Sequence, residues 1–274
     1  MAASTALEAA VARDRRLVAG AIVALTALCW LYLAMLAAGM EGMSGQDMSG
    51  RDMAGSGMAG SGMAMAMEPA RWTAAYAGLM LAMWVVMMAG MMLPSALPMI
   101  LTVATIARRR RARGQPHTAT SIFVAGYLIA WGAFSIAATA AQWGLEQAML
   151  LSPMMVSTSS VFGGALLIAA GLYQFTPLKY ACLRHCRSPA DFVLNRWRDG
   201  IGGALRMGIE HGLYCLGCCW VAMALLFVFG AMNLLWIAAL AILVLLEKAV
   251  PGGYRIAQGA GILMLAGGVW MIAS

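Results

Sequence analysis

The chain has 274 residues, of which 62% are hydrophobic and 11% charged, and its formal net charge is +7. Because an ordinary soluble domain has about 25% charged residues, this composition excludes a typical soluble globular protein. It predicts an all-α, polytopic membrane helix bundle, since backbone polar groups in a lipid bilayer must be satisfied within helices.

Seven apolar segments follow one another along the chain, and most have the roughly 20 residues that a spanning helix needs. They are residues 17–38, 72–101, 119–143, 156–178, 207–229, 231–250 and 255–273. The first segment is longer than the roughly 7 to 15 residues of a cleavable signal sequence, so we assign it as a helix. We predict about seven transmembrane helices, with six as the alternative if the last two segments do not both span.

The basic residues predict the orientation of these helices. With a cytoplasmic N-terminus, 16 of the 18 Lys and Arg residues lie on the cytoplasmic side, as the positive-inside rule expects. This distribution indicates membrane topology and not nucleic-acid binding. We therefore predict a multi-pass protein of the bacterial inner membrane. Residues 1–38 form the cytoplasmic N-terminus and first helix, residues 39–71 an extracytoplasmic loop, and residues 72–274 a polytopic domain with cytoplasmic basic loops near 107–117 and 179–206.

The loop 39–71 is rich in Gly, Ser and Met, a composition that predicts a flexible segment. Within "SGQDMSGRDMAGSGMAGSGMAMAM" (44–67), four methionines recur at five-residue intervals. A thioether binds soft cations without deprotonation, so we interpret this loop as an extracytoplasmic metal-capture segment. An ordinary linker is the alternative. The candidate capture residues are Met43, Met48, Met53, Met58, Met63, Met65 and Met67.

The second apolar segment contains "LMLAMWVVMMAGMMLPSALPMI", in which methionines recur at spacings of three and four. That spacing places several of them on one helical stripe. Pro94 and Pro98 follow and remove two backbone donors, which predicts a disturbed helix. Core packing by flexible thioethers is the alternative interpretation of the stripe. Its candidate metal ligands are Met83, Met87, Met88, Met91 and Met92.

Five of the six cysteines fall in two short motifs, "KYACLRHC" and "EHGLYCLGCCW". In the second motif, helical spacing places an imidazole and two thiols on the same side. We expect both groups at the cytoplasmic ends of their helices, where they could meet. Thiolate and thioether ligands favour Cu(I), while Zn(II) and Ag(I) are also possible. The candidate ligands are Cys182, His185, Cys186, His211, Cys215, Cys218 and Cys219.

Three ionisable residues near the helix ends have two interpretations each. Glu210 could orient His211 or help to balance the charge of a metal, but with Arg206 nearby it could also form an interfacial ion pair. Intramembrane ionisable groups are functional candidates by default. Glu247 and Lys248 are nevertheless readily explained as anchors that extend their charges to the interface.

The motifs "MMAGMMLPSALP", "KYACLRHC", "GLYCLGCCW", "FGAMNLLW" and "EK" together resemble a bacterial domain-of-unknown-function family described as predicted metal-binding integral membrane proteins. The resemblance extends from residue 72 to about residue 270. It implies a polytopic metal-binding protein without a settled activity. The functional positions that it implies are Met91, Met92, Pro94, Lys179, Cys182, Cys186, Cys215, Cys218, Cys219, Glu247 and Lys248.

These patterns predict a membrane protein that binds a soft metal ion, with Cu(I) favoured, for transport, delivery or storage. The expected partners are the lipid bilayer, the metal ion, and a metallochaperone or membrane complex. The sequence contains no P-loop motif and no hydrolytic triad, which favours a protein that is not an enzyme. Two alternatives remain open: a membrane thiol-disulfide redox protein that uses the Cys-rich cluster, and a subunit of a larger membrane metalloenzyme.

Overall fold

The computed structural model describes residues 2–46, 72–116, 118–152 and 155–274, and in the first of these ranges it describes side chains from residue 15 to residue 39. These residues form helices and no strand, apart from one isolated bridge between Leu151 and Ser157. The helices are α1 (Ala2–Gln46), α2 (Ala74–Ala112), α3 (Thr120–Gln147), α4 (Ser160–Tyr173), α5 (Pro177–Arg187), α6 (Pro189–Arg196), α7 (Gly200–Ala224), α8 (Leu226–Phe229), α9 (Leu234–Ala249) and α10 (Gly253–Ala273). The predicted all-α fold is therefore confirmed.

Five of these helical stretches are long and apolar enough to cross a membrane: Arg15–Gly39, Ala74–Ala112, Thr120–Gln147, Gly200–Phe229 and Gly253–Ala273. The pair α4 and α5 would make a sixth crossing if it is counted as one bent span. Within the described ranges, the count is thus five or six and does not reach the seven that the sequence predicts.

Two local features account for the lower count. The predicted span 156–178 is interrupted because Thr176 caps α5 through its side chain, Pro177 occupies the first turn, and the two helices meet at an angle of 64°. The predicted span 231–250 forms a helix of only 16 residues. At 1.5 Å per residue this helix is about 24 Å long, shorter than the roughly 30 Å hydrocarbon layer.

Helix α2 continues through both of its prolines from Ala74 to Ala112. Two side-chain hydroxyls near the prolines donate hydrogen bonds to backbone carbonyls of the helix. Ser95 donates to the Met92 carbonyl at 2.9 Å, and Thr102 donates to the Pro98 carbonyl at 2.8 Å. The prolines therefore do not end the helix, and additional donors supply some of its carbonyls in this region.

Helices α3 and α7 pack closely because glycines line their contact. A Cβ atom at Gly126 would lie 2.3 Å from the Leu205 carbonyl oxygen, and one at Gly208 would lie 2.1 Å from the Phe123 carbonyl oxygen. Gly208 and Gly212 form a small-xxx-small pair, the spacing that lets helix backbones approach each other. This packing holds α7, which carries three cysteines, against α3 and fixes the central site.

Candidate metal centre

The three cysteines of α7 lie inside the bundle, where Cys215, Cys218 and Cys219 are each 1% exposed. Cys218 and Cys219 both donate a thiol hydrogen bond to the Cys215 carbonyl, at 3.0 Å in each case. Helix α7 begins at Gly200, so Cys215 lies roughly 22 Å along its axis at 1.5 Å per residue. The motif therefore lies in the middle part of α7, because this helix begins before the predicted apolar segment 207–229.

Helix α5 brings a fourth thiol to this position. The Cys186 thiol lies within hydrogen-bonding range of the thiols of Cys215 and Cys218. The Cys219 thiol lies within the same range of these two thiols. Cys186 and Cys215 are 29 residues apart in the sequence, yet they meet in the fold. We call Cys186, Cys215, Cys218 and Cys219 the thiol cluster.

Cys182 lies one turn away from Cys186 on α5 and approaches the backbone of α7. A Cβ atom at Gly217 would lie 2.7 Å from the Cys182 sulfur, so the glycine leaves room for this thiol. The Tyr173 hydroxyl donates to the Gly217 carbonyl and fixes the end of α4 to the same turn of α7. Cys182 is therefore close to the thiol cluster but at its edge, and it is partly exposed.

A buried ammonium group lies against the thiol cluster. The Lys248 Nζ donates to the Cys215 sulfur at 2.9 Å and to the Ser95 hydroxyl at 3.1 Å. The Tyr127 hydroxyl also lies 3.1 Å from the Cys215 sulfur and 3.1 Å from the Met92 carbonyl oxygen. Lys248 is 9% exposed, so the interpretation of this residue as an interfacial anchor is wrong: helix α9 ends inside the bundle and directs its lysine inwards.

The methionine stripe of α2 is fully internal. Its exposure is 0 to 2% at each candidate position, namely Met83, Met87, Met88, Met91 and Met92. The Cys219 thiol lies 4.0 Å from the Met92 sulfur, so the stripe reaches the thiol cluster. Thioethers and thiols thus form one continuous sulfur-lined interior.

The two candidate histidines have different surroundings. His211 is 2% exposed, its ring stacks with Phe123 and Tyr127, and its Nδ1 atom has no hydrogen-bond partner among the described residues. Its position one turn before Cys215 on α7 places it next to the thiol cluster. The His211 imidazole is therefore buried beside the thiol cluster with one nitrogen that has no described hydrogen-bond partner.

His185 stacks on Tyr214, with ring centroids 4.3 Å apart, and its Nδ1–H donates to the Ala181 carbonyl at 2.8 Å. It also lines a cavity with Asp191 and Arg196 on the other side of α5. Neither its hydrogen bond nor its ring contact is with a cysteine. The structure thus brings His211, but not His185, to the thiol cluster.

Two acidic candidates form ion pairs. Glu247 is 2% exposed and binds the Lys179 ammonium at 2.7 Å, and Lys179 also donates to Gln174. Glu247 is therefore not an interfacial anchor either, because its pair with Lys179 joins α9 to α5 and supports the position of Cys186. Glu210 pairs with Arg196, Arg198 and Arg206 at 3.1 to 3.6 Å, which supports the ion-pair interpretation of that residue.

No group of three or more His, Cys, Asp or Glu side chains in the described residues is arranged to hold a metal ion as it stands. The thiols of Cys218 and Cys219 are instead occupied by the Cys215 carbonyl.

The proposed capture residues fall largely outside the described residues. This applies to Met48, Met53, Met58, Met63, Met65 and Met67, and to the side chain of Met43. Their role stays a prediction.

Sequence analysis missed several polar residues of the interior. Tyr127 and Ser95 contact the thiol cluster or its lysine, and Gln142 and Glu146 form a separate buried network with Trp84. A signal was present for Gln142 and Glu146, because polar residues one turn apart near the end of an apolar helix are functional candidates. Tyr127 and Ser95 gave no such signal.

The fold and the site together define an all-helical protein with a sulfur-lined interior, and sulfur groups of this kind are the preferred ligands of soft metal ions. Residues 81–271 match the PpoB2 family, which is described as a copper chaperone. Since the match covers more than half of the chain, the protein belongs to the PpoB2 copper chaperone family. This membership supports the metal-related part of the resemblance found in the sequence and the copper-related function that its sulfur groups predict. No curated protein and no solved structure matches the chain.

Proposed function

We propose that this protein is an integral membrane copper chaperone that binds Cu(I) in the thiol cluster and passes it on to a partner protein. The observation that carries this proposal is the meeting of Cys186 from α5 with Cys215 and Cys218 from α7. Thiolates are soft ligands that select Cu(I), and the Met92 thioether lies next to Cys219 in the same interior.

The charge of the site supports a monovalent ion. Two thiolates and one Cu(I) carry a net charge of −1, and the Lys248 ammonium beside Cys215 makes that group neutral. With Zn(II) in place of Cu(I), the same group would carry a net charge of +1. Because an uncompensated charge inside a bundle is costly, the buried lysine favours Cu(I) or its analogue Ag(I).

Five or six long apolar helices support placement in a membrane, and we propose the bacterial inner membrane with a cytoplasmic N-terminus. The segment 39–71 would then be extracytoplasmic, as would the N-terminal end of α2. Its methionines would collect the ion outside, and the stripe on α2 would lead it towards the thiol cluster.

A single cysteine introduced by S56C, in a variant whose native cysteines are replaced by serine, should react with a membrane-impermeant maleimide in cells with an intact inner membrane. Labelling only after the membrane is opened would overturn this orientation.

Metal binding by the purified full-length protein tests the proposed site. In a membrane mimetic and under reducing conditions, the unmodified protein should retain Cu(I) against a competing chelator. The variants C215S and C218S should lose this retention, because each removes a central thiol. C29S is the matched control, since Cys29 is a buried cysteine of α1 outside the cluster. An unmodified protein that binds neither Cu(I) nor Ag(I) would sink the proposal.

The same samples separate the chaperone from a thiol-disulfide redox protein. A chaperone should hold Cu(I) with its thiols reduced and transfer the ion to an acceptor while the thiol count stays constant. Formation of a Cys215–Cys218 disulfide coupled to reduction of an acceptor, without metal, would instead support the redox alternative. Thiol counting before and after transfer makes the distinction.

A further inference from the structure

A second buried polar network lies between α2 and α3, remote along α2 from the thiol cluster. Glu146 accepts hydrogen bonds from Trp72 Nε1 at 2.7 Å and from Gln142 Nε2 at 2.8 Å. Gln142 in turn accepts from Trp84 Nε1 at 2.8 Å and directs its amide towards the Met80 sulfur at 3.5 Å. We call these five residues the outer network.

The outer network contains a carboxylate in an apolar interior. Glu146 is 9% exposed, Gln142 and Trp84 are fully buried, and Met80 is 8% exposed. Within the described residues, the hydrogen-bond partners of Glu146 are neutral donors. A buried carboxylate is costly without an opposite charge, and an ionisable group at membrane depth is a functional candidate.

The outer network adjoins both the surface and the methionine stripe. Trp72, which donates to Glu146, also lines an open surface groove together with Thr139 and Trp143. Met80 is on the same helix as Met83 and Met87, the next members of the buried stripe. From Met80 to Met92, where the stripe meets Cys219, the helix rises about 18 Å.

The donor types suit a soft monovalent cation at the head of this stripe. The Met80 thioether is a soft ligand, and the Glu146 carboxylate supplies the one negative charge that a monovalent ion needs. The Gln142 amide lies within hydrogen-bonding distance of both groups, at 2.8 Å and 3.5 Å. A cation that took the place of the Gln142 amide hydrogen would lie next to the Met80 sulfur and the Glu146 carboxylate oxygen. It would therefore have one sulfur and one oxygen ligand side by side.

We propose that Met80, Gln142 and Glu146 form an entry site that accepts Cu(I) or Ag(I) before the ion moves along the methionine stripe. This inference rests on the proposed function, because it assigns the same ion to a second position. The entry site is weaker than the thiol cluster since it has one thioether and no thiolate, so an ion passes inwards from it.

Ag(I) serves as the probe because it is monovalent and does not change oxidation state in air. Trp72 and Trp84 flank the site, so bound Ag(I) should quench their fluorescence. The first measurement uses the full chain with C186S, C215S, C218S and C219S, which removes the thiol cluster. In this background E146Q and M80L should each weaken the quenching affinity about tenfold, the effect of losing one good ligand. W84F should reduce the amplitude.

The second measurement keeps all cysteines and follows the rate at which Ag(I) reaches the thiol cluster, detected by sulfur-to-metal charge-transfer absorption. E146Q and M80L should slow this loading about tenfold while the final stoichiometry stays the same. M99L and D191N are the matched controls, because Met99 is a buried methionine further along α2 and Asp191 is on α6. Both controls should load at the unmodified rate.

The outcomes separate the two proposals. If the unmodified protein loads its thiol cluster but E146Q and M80L load equally fast and quench equally, the entry site is refuted and the proposed function stands. If the unmodified protein takes up no Ag(I) at all, the proposed function fails first. Equal slowing by M99L would show a general packing effect and would also refute the entry site.

Discussion

The thiol cluster and the outer network are two buried polar regions of one bundle, and they differ in their ionisable groups. The thiol cluster has four sulfur ligands and a lysine ammonium 2.9 Å from one of them. The outer network has one thioether, one amide and a carboxylate, with neutral donors around it. Helix α2 joins the two regions through its methionines.

In the proposed path, the two positions would differ in ligand type. A monovalent ion beside Glu146 would neutralise one carboxylate, and an ion bound by two thiolates beside Lys248 would also complete a neutral group. Sulfur content also rises from one region to the other, from Met80 alone to the cluster around Cys215. If both proposed sites hold the ion, this rise in sulfur content would favour movement of a soft cation from the outer network to the thiol cluster.

Removal of the buried lysine should have the largest effect and should act on the thiol cluster alone. K248M leaves the thiolate-metal group without its counter-charge, and breaking a buried charge pair costs about 3–5 kcal/mol. Affinity for Cu(I) should therefore fall more than about a hundredfold, and the preference for Zn(II) over Cu(I) should rise. Competition titrations with both metals measure this, with K248R as the charge-preserving control. Unchanged Cu(I) affinity in K248M would contradict the charge-balance argument.

Separation of α3 from α7 should have an intermediate effect. G208A places a methyl group 2.1 Å from the Phe123 carbonyl oxygen, which forces the helices apart and costs about 1–3 kcal/mol of stability. The thiol cluster depends on α7 and should bind metal more weakly, whereas the outer network joins α2 to α3 and should keep its Ag(I) quenching. Thermal unfolding and both binding assays test this.

G202A is the control for this substitution, because a Cβ atom at Gly202 has open space around it. It should unfold at the same temperature as the unmodified protein. A G208A protein with unchanged unfolding temperature would show that the two helices are not held by this close contact.

Loss of one thioether at the junction should have the smallest effect on stability. M92L preserves volume, so the free energy of unfolding should fall by less than about 1.5 kcal/mol. Since Met92 is the stripe residue that contacts Cys219, loading of the thiol cluster should nevertheless slow while its final stoichiometry stays the same. Stopped-flow Ag(I) loading makes this measurement. A loading rate equal to that of the unmodified protein would show that the ion does not reach the thiol cluster through the methionine stripe.

Periodic features of this protein could be predicted from its sequence. Met83, Met87 and Met91 recur at helical spacing and do lie on a buried stripe, and the close grouping of Cys215 with Cys218 predicted a shared position. The sequence left open whether the two cysteine motifs meet, and in the structure Cys186 lies beside Cys215 and Cys218. The periodic features depend on residues close together in the chain or on simple helix geometry.

Features that depend on where helices begin and end were harder to predict from the sequence. The capping signal at Thr176 and Pro177 lies inside an apolar run, so the bend between α4 and α5 was missed. Glu247 and Lys248 stand at a helix end, where charged residues usually reach the interface. They turn inwards here because α9 is short and packs against partners on other helices, Lys179 and Cys215.

A bend of 64° separates α4 from α5, and the four thiols of the cluster are shared unequally between α5 and α7. Three belong to α7, which is wedged against α3 through glycines, and one belongs to the 11-residue helix that follows the bend. Three thiols of the site are thus held on a tightly packed helix, and the fourth is on a separate helix. A rotation of α5 at Thr176 would move the Cys186 sulfur away while the other three sulfurs stayed in place. If the thiol cluster holds an ion as proposed, loss of this one sulfur would weaken its binding without unfolding any part of the bundle.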